Sequence, residues 1–245
     1  MKDTLFTVKS NRLIAKNTYE CVLVGDTSDI TAAGQFVNIK LDGFYLRRPI
    51  SVCDKNGDEL TLIYKVVGKG TELMAKTPIG ESWLVLTGLG NGYDLEKSGD
   101  APLLIGGGAG VPPMYLLCKK LAEQGKKCTV ILGFGSKDEA FYEEEFKALG
   151  ADVYVTTVDG SYGIRGFVTD AMDGIDYTHF YTCGPEPMLK AVYNKSTTGG
   201  SFSFEERMGC GFGACMGCSC KTITGYKRIC KEGPVMQKEE ILWKS

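Results

Sequence analysis

The hydrophobic pattern of the chain changes period near Ser98-Gly99-Asp100, and that change restricts the fold more than any single motif does. Before it, TLFTVKSNRLI, TYECVLVG, GQFVNIKL, LRRPISV, ELTLIYKVV and WLVLTGL are β-branched or alternating runs separated by Gly, Asn and Asp. Such runs read as strands. One short stretch, GTELMAK, has helical character. Six short strands with so little helix predict a closed Greek-key barrel, because closure removes the exposed edges. After the change, APLLIGGG, CTVILGFG, ADVYVTTVD and THFYTCGP read as strands. They alternate with helical PPMYLLCKKLAEQG, EAFYEEEFKALG, a short GFVTDAM and EPMLKAVYNK. Alternation of this kind predicts a doubly wound parallel sheet. From Ser201 the chain reads as a short strand, SFSFEE, a cysteine-rich loop and a hairpin around Gly225. The expected division is therefore a β barrel over 1–98, an α/β domain over 99–200 and a small C-terminal segment over 201–245.

Charge and composition exclude several function classes. The formal net charge is −2, with both signs interleaved, so neither nucleic acid nor an anionic membrane is expected as the main partner. No apolar run approaches the ~20 residues of a membrane span. The stretch MKDTLFTVKSNRL lacks the apolar core of a signal peptide. A reducing, cytoplasmic setting is the expectation, where clustered cysteines read as metal ligands or redox groups before disulfides. The single histidine, His179, argues against a His-based triad, a His-rich zinc site or a Rieske centre.

The cysteines concentrate in ERMGCGFGACMGCSC, residues 206–220. Cys210, Cys215 and Cys218 read C-x4-C-x2-C, with Cys230 further on, which is the plant-type [2Fe–2S] spacing. Four thiolates must converge on two irons, and Gly209, Gly211, Gly213 and Gly217 let one loop supply three of them without Cβ clashes. A structural zinc site could use the same thiols, although zinc knots usually show two C-x2-C pairs and here there is one. Cys220 is a fifth thiol. It would permit a [4Fe–4S] reading that leaves Cys230 idle, so Cys220 is expected to be a non-ligand. Cys21, Cys53, Cys118 and Cys128 fall in strand or helix patterns and read as small buried hydrophobes. Phe212 and Met216 are either apolar contacts for a partner or pack inward on the barrel.

Three further motifs carry possible ligand chemistry. LLIGGGAGVPPM places Gly107, Gly108 and Gly110 between a strand and a helix, where free N–H groups suit a pyrophosphate; a bare βα turn is the alternative. HFYTCGPEPM brings Cys183, Gly184 and Pro185 to the end of a later strand, the usual place for ligands in open α/β sheets, although a lone cysteine is more often core. YLRRPISV puts Arg48 beside Pro49, Ile50 and Ser51, and KVVGKGTELM puts Gly70 and Thr71 at a helix start. An Arg fork suits a pyrophosphate, and a solvated strand edge would also read this way. In GFGSKDEA, Asp138 suits the free ribose of NAD, whereas Lys137 suits a 2′-phosphate.

Taken in order, R-P-I-S, G-K-G-T, G-G-G-A-G-V-P-P-M, C-G-P-E-P-M and the terminal C-x4-C-x2-C…C resemble the ferredoxin–NADP reductase superfamily. Within it they are similar to the electron-transfer subunits of NAD-dependent dihydroorotate dehydrogenases of type B. The short cluster segment discriminates, since a plant-type ferredoxin domain would need ~90 residues. The resemblance implies FAD in the barrel, NAD on the sheet and [2Fe–2S] in the loop. It places Arg48, Pro49, Ile50 and Ser51 at the flavin, with Ser51 near its reactive edge; Ser51 and Cys183 are the expected catalytic residues. It adds Ile63, Tyr64 and Lys65 as a second flavin strand, where the family often has Arg in place of Lys65. Gly70 and Thr71 match the flavin phosphate turn, and Cys210, Cys215, Cys218 and Cys230 match the cluster ligands. The implied function is an electron relay in pyrimidine biosynthesis. A catalytic subunit oxidises dihydroorotate on FMN, and the electrons reach NAD+ through this chain, within a heterotetramer. A stand-alone NAD(P)H–ferredoxin reductase and a NAD-linked subunit of a hydrogenase or sulfur-reducing complex are the alternatives.

Overall fold

The structure, a computed structural model, describes residues 1–243. Strands β1 (Lys2–Ala15), β2 (Thr18–Val24), β3 (Phe36–Lys40), β4 (Arg48–Asn56), β5 (Glu59–Lys65) and β6 (Ser82–Leu89) close into the expected barrel, in the order β1-β2-β5-β4-β3-β6. Every pairing is antiparallel, and β1 against β6 closes the circle from Lys2↔Thr87 to Thr7↔Ser82. The interior holds Phe6, Val8, Leu23, Leu60, Leu62 and Val85, with Cys21 and Cys53 buried as small apolar groups. Helix α1 (Lys69–Ala75) follows β5 and buries Met74.

The second half is a seven-stranded sheet. Its strands are β7 (Pro102–Gly107), β8 (Thr129–Phe134), β9 (Asp152–Thr157), β10 (Ile164–Arg165), β11 (His179–Cys183) and β12 (Gly200–Ser203). The edge strand β15 (Val235–Gln237) comes after a separate hairpin of β13 (Ser219–Thr222) and β14 (Gly225–Arg228). The order β10-β9-β8-β7-β11-β12-β15 runs outward from β7 in both directions, so the chain reverses its winding between β7 and β11. Ligands of such sheets sit beyond the carboxyl ends of the strands at that reversal. Helices α2 (Val111–Glu123), α3 (Glu143–Ala148) and α4 (Glu186–Lys195) supply the crossovers.

Two helical readings shorten. EAFYEEEFKALG forms helix only from Glu143, because Tyr142 takes a left-handed backbone (φ 69°). That conformation lets its hydroxyl reach the buried Glu20 of the barrel at 2.8 Å. GFVTDAM gives only a 3-10 turn at Asp170–Met172, with the Asp170 carboxylate accepting from the Phe167 N–H at 2.7 Å. The C-terminal segment is not an appendage: β15 pairs antiparallel with β12, from Ser201↔Gln237 to Ser203↔Val235. Barrel and sheet are joined where α2 packs on β4, with Lys119 paired to Asp54 at 2.8 Å.

His179 is buried on β11, with Nε2 at 3.1 Å from Ser201 Oγ. Burial, then the charge of Lys97, lowers its pKa; Glu239 and Asp94 oppose that shift. The unfolded chain therefore takes up this proton first as pH falls. Stability from this group is complete above the ordinary value of 6.5 and is lost as pH falls through the lowered folded value. Melting temperature measured from neutral pH downward should drop less steeply for His179→Gln than for the parent; parallel curves would remove this role.

Candidate functional site

Arg48 opens β4, and its guanidinium folds back rather than outward. Nη1 donates to the Leu46 carbonyl at 2.6 Å, and the group lies over the Phe44 ring at 4.7 Å. It also packs against Gly70, where an added Cβ would stand 2.1 Å from Nε. Arg48 and the G-K-G-T turn, apart in sequence, are thus one surface. Thr71 is buried, and its hydroxyl accepts from the N–H groups of Val67 (2.9 Å) and Gly68 (3.2 Å), which shapes that turn. Pro49, Ile50 and Ser51 follow along β4, half-buried.

Ile63, Tyr64 and Lys65 line a cleft between barrel and sheet with Gly108, Ala109 and Glu139. Tyr64 stacks on Tyr19 and donates to Asn11 at 2.9 Å; burial raises its pKa. Lys65 Nζ lies 3.2 Å from the Glu139 carboxylate. Across the cleft, β7 and β11 are neighbours with Cys183 opposite Gly106, so the two glycine turns meet. A Cβ on Gly110 would stand 2.1 Å from the Cys183 carbonyl oxygen, and one on Gly107 would stand 2.4 Å from Met188 Sδ. Gly108 takes a positive φ of 51°. Burial pushes the Cys183 thiol up to about 12; the Ser203 hydroxyl opposes this and the Glu205 charge adds to it. Gly184 and Pro185 lead from Cys183 into α4. Beyond β8, Asp138 pairs with Lys16 at 3.2 Å and Lys137 lies over the Tyr162 ring.

The four expected ligand cysteines come together as two pairs. The Cys215 N–H lies 3.4 Å from Cys210 Sγ, and the Cys230 N–H lies 3.5 Å from Cys218 Sγ. Burial opposes ionisation of Cys210, but N–H groups of Cys215 and Phe212, the Cys215 thiol and the Ala214 N–H outweigh it and bring the thiol to about 6. Burial, then the Cys218 thiol, pushes Cys230 up to about 12. The loop wraps inward: the Ala214 N–H is 3.2 Å from Cys210 Sγ, the Gly217 N–H is 3.5 Å from Cys215 Sγ, and the Cys230 N–H is 3.5 Å from Cys218 Sγ. Gly211, Gly213 and Met216 all take positive φ. Among the described residues no three His, Cys, Asp or Glu side chains converge on one ion. Two thiol pairs, each backed by N–H donors, fit a binuclear [2Fe–2S] centre, which takes two protein thiolates per iron and hydrogen bonds to sulfur. Cys220 turns instead toward Met236, sulfur to sulfur at 3.9 Å, and burial raises its pKa. Phe212 and Met216 are 43% and 53% exposed, and Tyr226 at the hairpin is 72% exposed, so this face presents apolar side chains outward.

Sequence reading missed Glu139, Glu205 and Asn38. The last had a visible signal, a lone amide inside the apolar run GQFVNIKL, and it lies beneath the cluster loop.

A flavin-type barrel, a nicotinamide-type sheet and a paired-thiol loop define an iron–sulfur flavoprotein oxidoreductase of the ferredoxin–NADP reductase fold, with FAD, NAD and [2Fe–2S] as its carriers. Residues 104–194 match the oxidoreductase NAD-binding domain, and residues 205–242 match the iron-sulfur cluster binding domain of dihydroorotate dehydrogenase B. A Bacillus pumilus protein named dihydroorotate dehydrogenase B (NAD(+)), electron transfer subunit, is 46% identical, covering 98% of each chain. The Fusobacterium nucleatum protein of that name is 45% identical over 96% of each. A solved chain of an NADH-dependent reduced ferredoxin–NADP oxidoreductase superposes with TM-score 0.87 at 30% identity, over 97% of this chain and 90% of that one. Phthalate dioxygenase reductase, at 18% identity, TM-score 0.66 and coverage of 79% and 64%, shares the fold. The chain belongs to the family of dihydroorotate dehydrogenase B (NAD+) electron transfer subunits.

Proposed function

We propose that this chain is the electron-transfer half of a NAD-dependent dihydroorotate dehydrogenase, working in pyrimidine biosynthesis with a separate FMN-containing catalytic subunit. When bound, the carriers supply the redox chemistry: hydride exchange between FAD and NAD, and single-electron exchange through [2Fe–2S] with the partner's flavin. The observation that carries the reading is the seating of the paired-thiol loop on barrel strand β3, beside the flavin strand β4, while the first glycine turn lines a cleft with β5 and the Cys183 turn packs against it.

The chain's residues divide the work. Arg48 and the Gly70-Thr71 turn would hold the FAD pyrophosphate; Pro49, Ile50, Ser51, Ile63, Tyr64 and Lys65 would line the flavin, with Ser51 toward its reactive edge. Gly107, Gly108 and Gly110 admit the dinucleotide close to the backbone, and Cys183, Gly184 and Pro185 wall the nicotinamide. Cys210, Cys215, Cys218 and Cys230 would hold the [2Fe–2S] cluster. The units proposed are 1–98 for FAD, 99–200 for NAD and 201–245 for the cluster. The exposed Phe212–Met216 face meets the catalytic subunit in a cytoplasmic heterotetramer; no helix among the described residues is long and apolar enough to cross a membrane. Co-purification with the catalytic subunit, followed by an assay of dihydroorotate-dependent NAD+ reduction, tests the reading; a complex that reduces NAD+ only from ferredoxin would replace it.

Removing the Arg48 fork tests the flavin assignment. A charge-assisted bond is worth ~1.5–3 kcal/mol, so Arg48→Ala should weaken FAD roughly tenfold to hundredfold. Flavin content after gel filtration at limiting FAD measures it, and unchanged retention would remove Arg48 from the site.

A further inference from the structure

Strand β3 presents two different faces. Val37 and Ile39 belong to the large core cluster that contains the barrel interior residues Phe6, Val8, Leu23 and Leu62. Phe36 belongs instead to a small cluster with Cys218, Ile229 and Cys230 of the C-terminal segment. Side chains two apart in a strand share a face, so Asn38 stands on the cluster side with Phe36. Directly opposite residues of an antiparallel pair also share a face. Phe36 lies opposite Ser51 and Asn38 opposite Pro49, so this surface continues onto the flavin strand.

Asn38 is 1% exposed, yet its amide is only half satisfied. Nδ2 donates to the Cys210 carbonyl at 3.4 Å, while Oδ1 has no partner. An apolar side chain of similar size would fill the space without an orphaned buried oxygen, so packing does not account for the amide. The loop is shaped to it: a Cβ on Gly211 would stand 2.3 Å from Asn38 Nδ2, and Gly211 takes φ +80°. The strand is held in turn by Arg47, whose Nη1 reaches the Asn38 carbonyl at 3.5 Å and whose fork is paired with Asp3.

We propose that Asn38 is a positioning residue between the two carriers. It registers the Cys210 end of the cluster loop on the β3–β4 surface, and so sets both the surroundings of the cluster and the passage of single electrons between cluster and flavin. Asn38 itself gains and loses neither electrons nor protons. The inference rests on the relay reading above, but its test uses NADH alone. Failure of dihydroorotate coupling leaves it standing, whereas a parent chain without a [2Fe–2S] signal would overturn the relay reading instead.

The test compares Asn38→Leu, Asn38→Asp and Asn38→Ser in the full chain carrying its cofactors. The low-temperature EPR spectrum of the reduced cluster and the two phases of reduction by NADH, flavin first and cluster second, are recorded. Leu and Asp should shift the EPR g-values and slow the cluster phase roughly tenfold, the loss expected when a supporting hydrogen bond at a metal site is removed. The flavin phase should stay at the parent rate. Ser, which keeps a short donor, should fall between. If Leu keeps flavin but loads no cluster while Ser loads one, positioning is likewise supported. Parent-like EPR and cluster rates in loaded Leu and Asp variants would overturn the proposal. So would joint loss of flavin and cluster in Leu with parent behaviour in Ser, which would mark Asn38 as packing only.

Discussion

Cys230→Ala should abolish the iron–sulfur chromophore, while Cys220→Ala should leave it. The parent chain should carry about two irons and two acid-labile sulfides; the Cys230 variant should carry essentially none and the Cys220 variant the full complement. Cys230 is buried beside Cys218, with its N–H directed at the Cys218 sulfur at 3.5 Å. One iron of the pair would lose half its protein ligands. Cys220 shares the segment but faces Met236 of β15. Iron and sulfide analysis with the visible spectrum decides it, and FAD content serves as the folding control, since the barrel closes on its own strands. A chromophore that survives loss of Cys230 and disappears with Cys220 would overturn the ligand assignment.

The second large effect concerns coupling. Alone, the chain should oxidise NADH with artificial acceptors and should not oxidise dihydroorotate. Mixed with its catalytic partner it should couple dihydroorotate oxidation to NAD+ reduction. The cluster-free Cys230→Ala chain should lose that coupling while keeping the NADH–flavin half-reaction near the parent rate. The reason is geometric. Strand β5 and the first glycine turn share one cleft, whereas the thiol loop seats on β3, which pairs with β4, so NADH can reach the flavin without passing the cluster. Stopped-flow reduction by NADH and steady-state coupling measured on the same preparations separate them. Full coupling without a cluster, or dihydroorotate oxidation by the isolated chain, would end the relay model.

Much of this was legible along the chain because it depends on local chemistry. Period-2 runs broken by Gly, Asn and Asp require strands, and their alternation with helical segments after Asp100 requires a parallel sheet. The C-x4-C-x2-C spacing and its glycines express how closely a loop must wrap sulfur, a constraint confined to a few residues. The short β15 strand was not legible, since its three residues gain stability only from the β12 edge. The curtailed α3 was not legible either, because Tyr142 leaves helical geometry to reach Glu20, which lies far away in sequence. Spacing nominated four thiols, but only the folded loop brings Cys215 to Cys210 and Cys230 to Cys218 and turns Cys220 toward Met236. Likewise Arg48 and Gly70 each read as separate anion contacts, and their union depends on a close approach that only a residue without a Cβ permits. Asn38 shows the division most clearly. The sequence displays an amide in an apolar strand, but what that amide touches is fixed by a loop that arrives long after β3 in the chain, and side-chain contacts between distant segments exist only once both are packed.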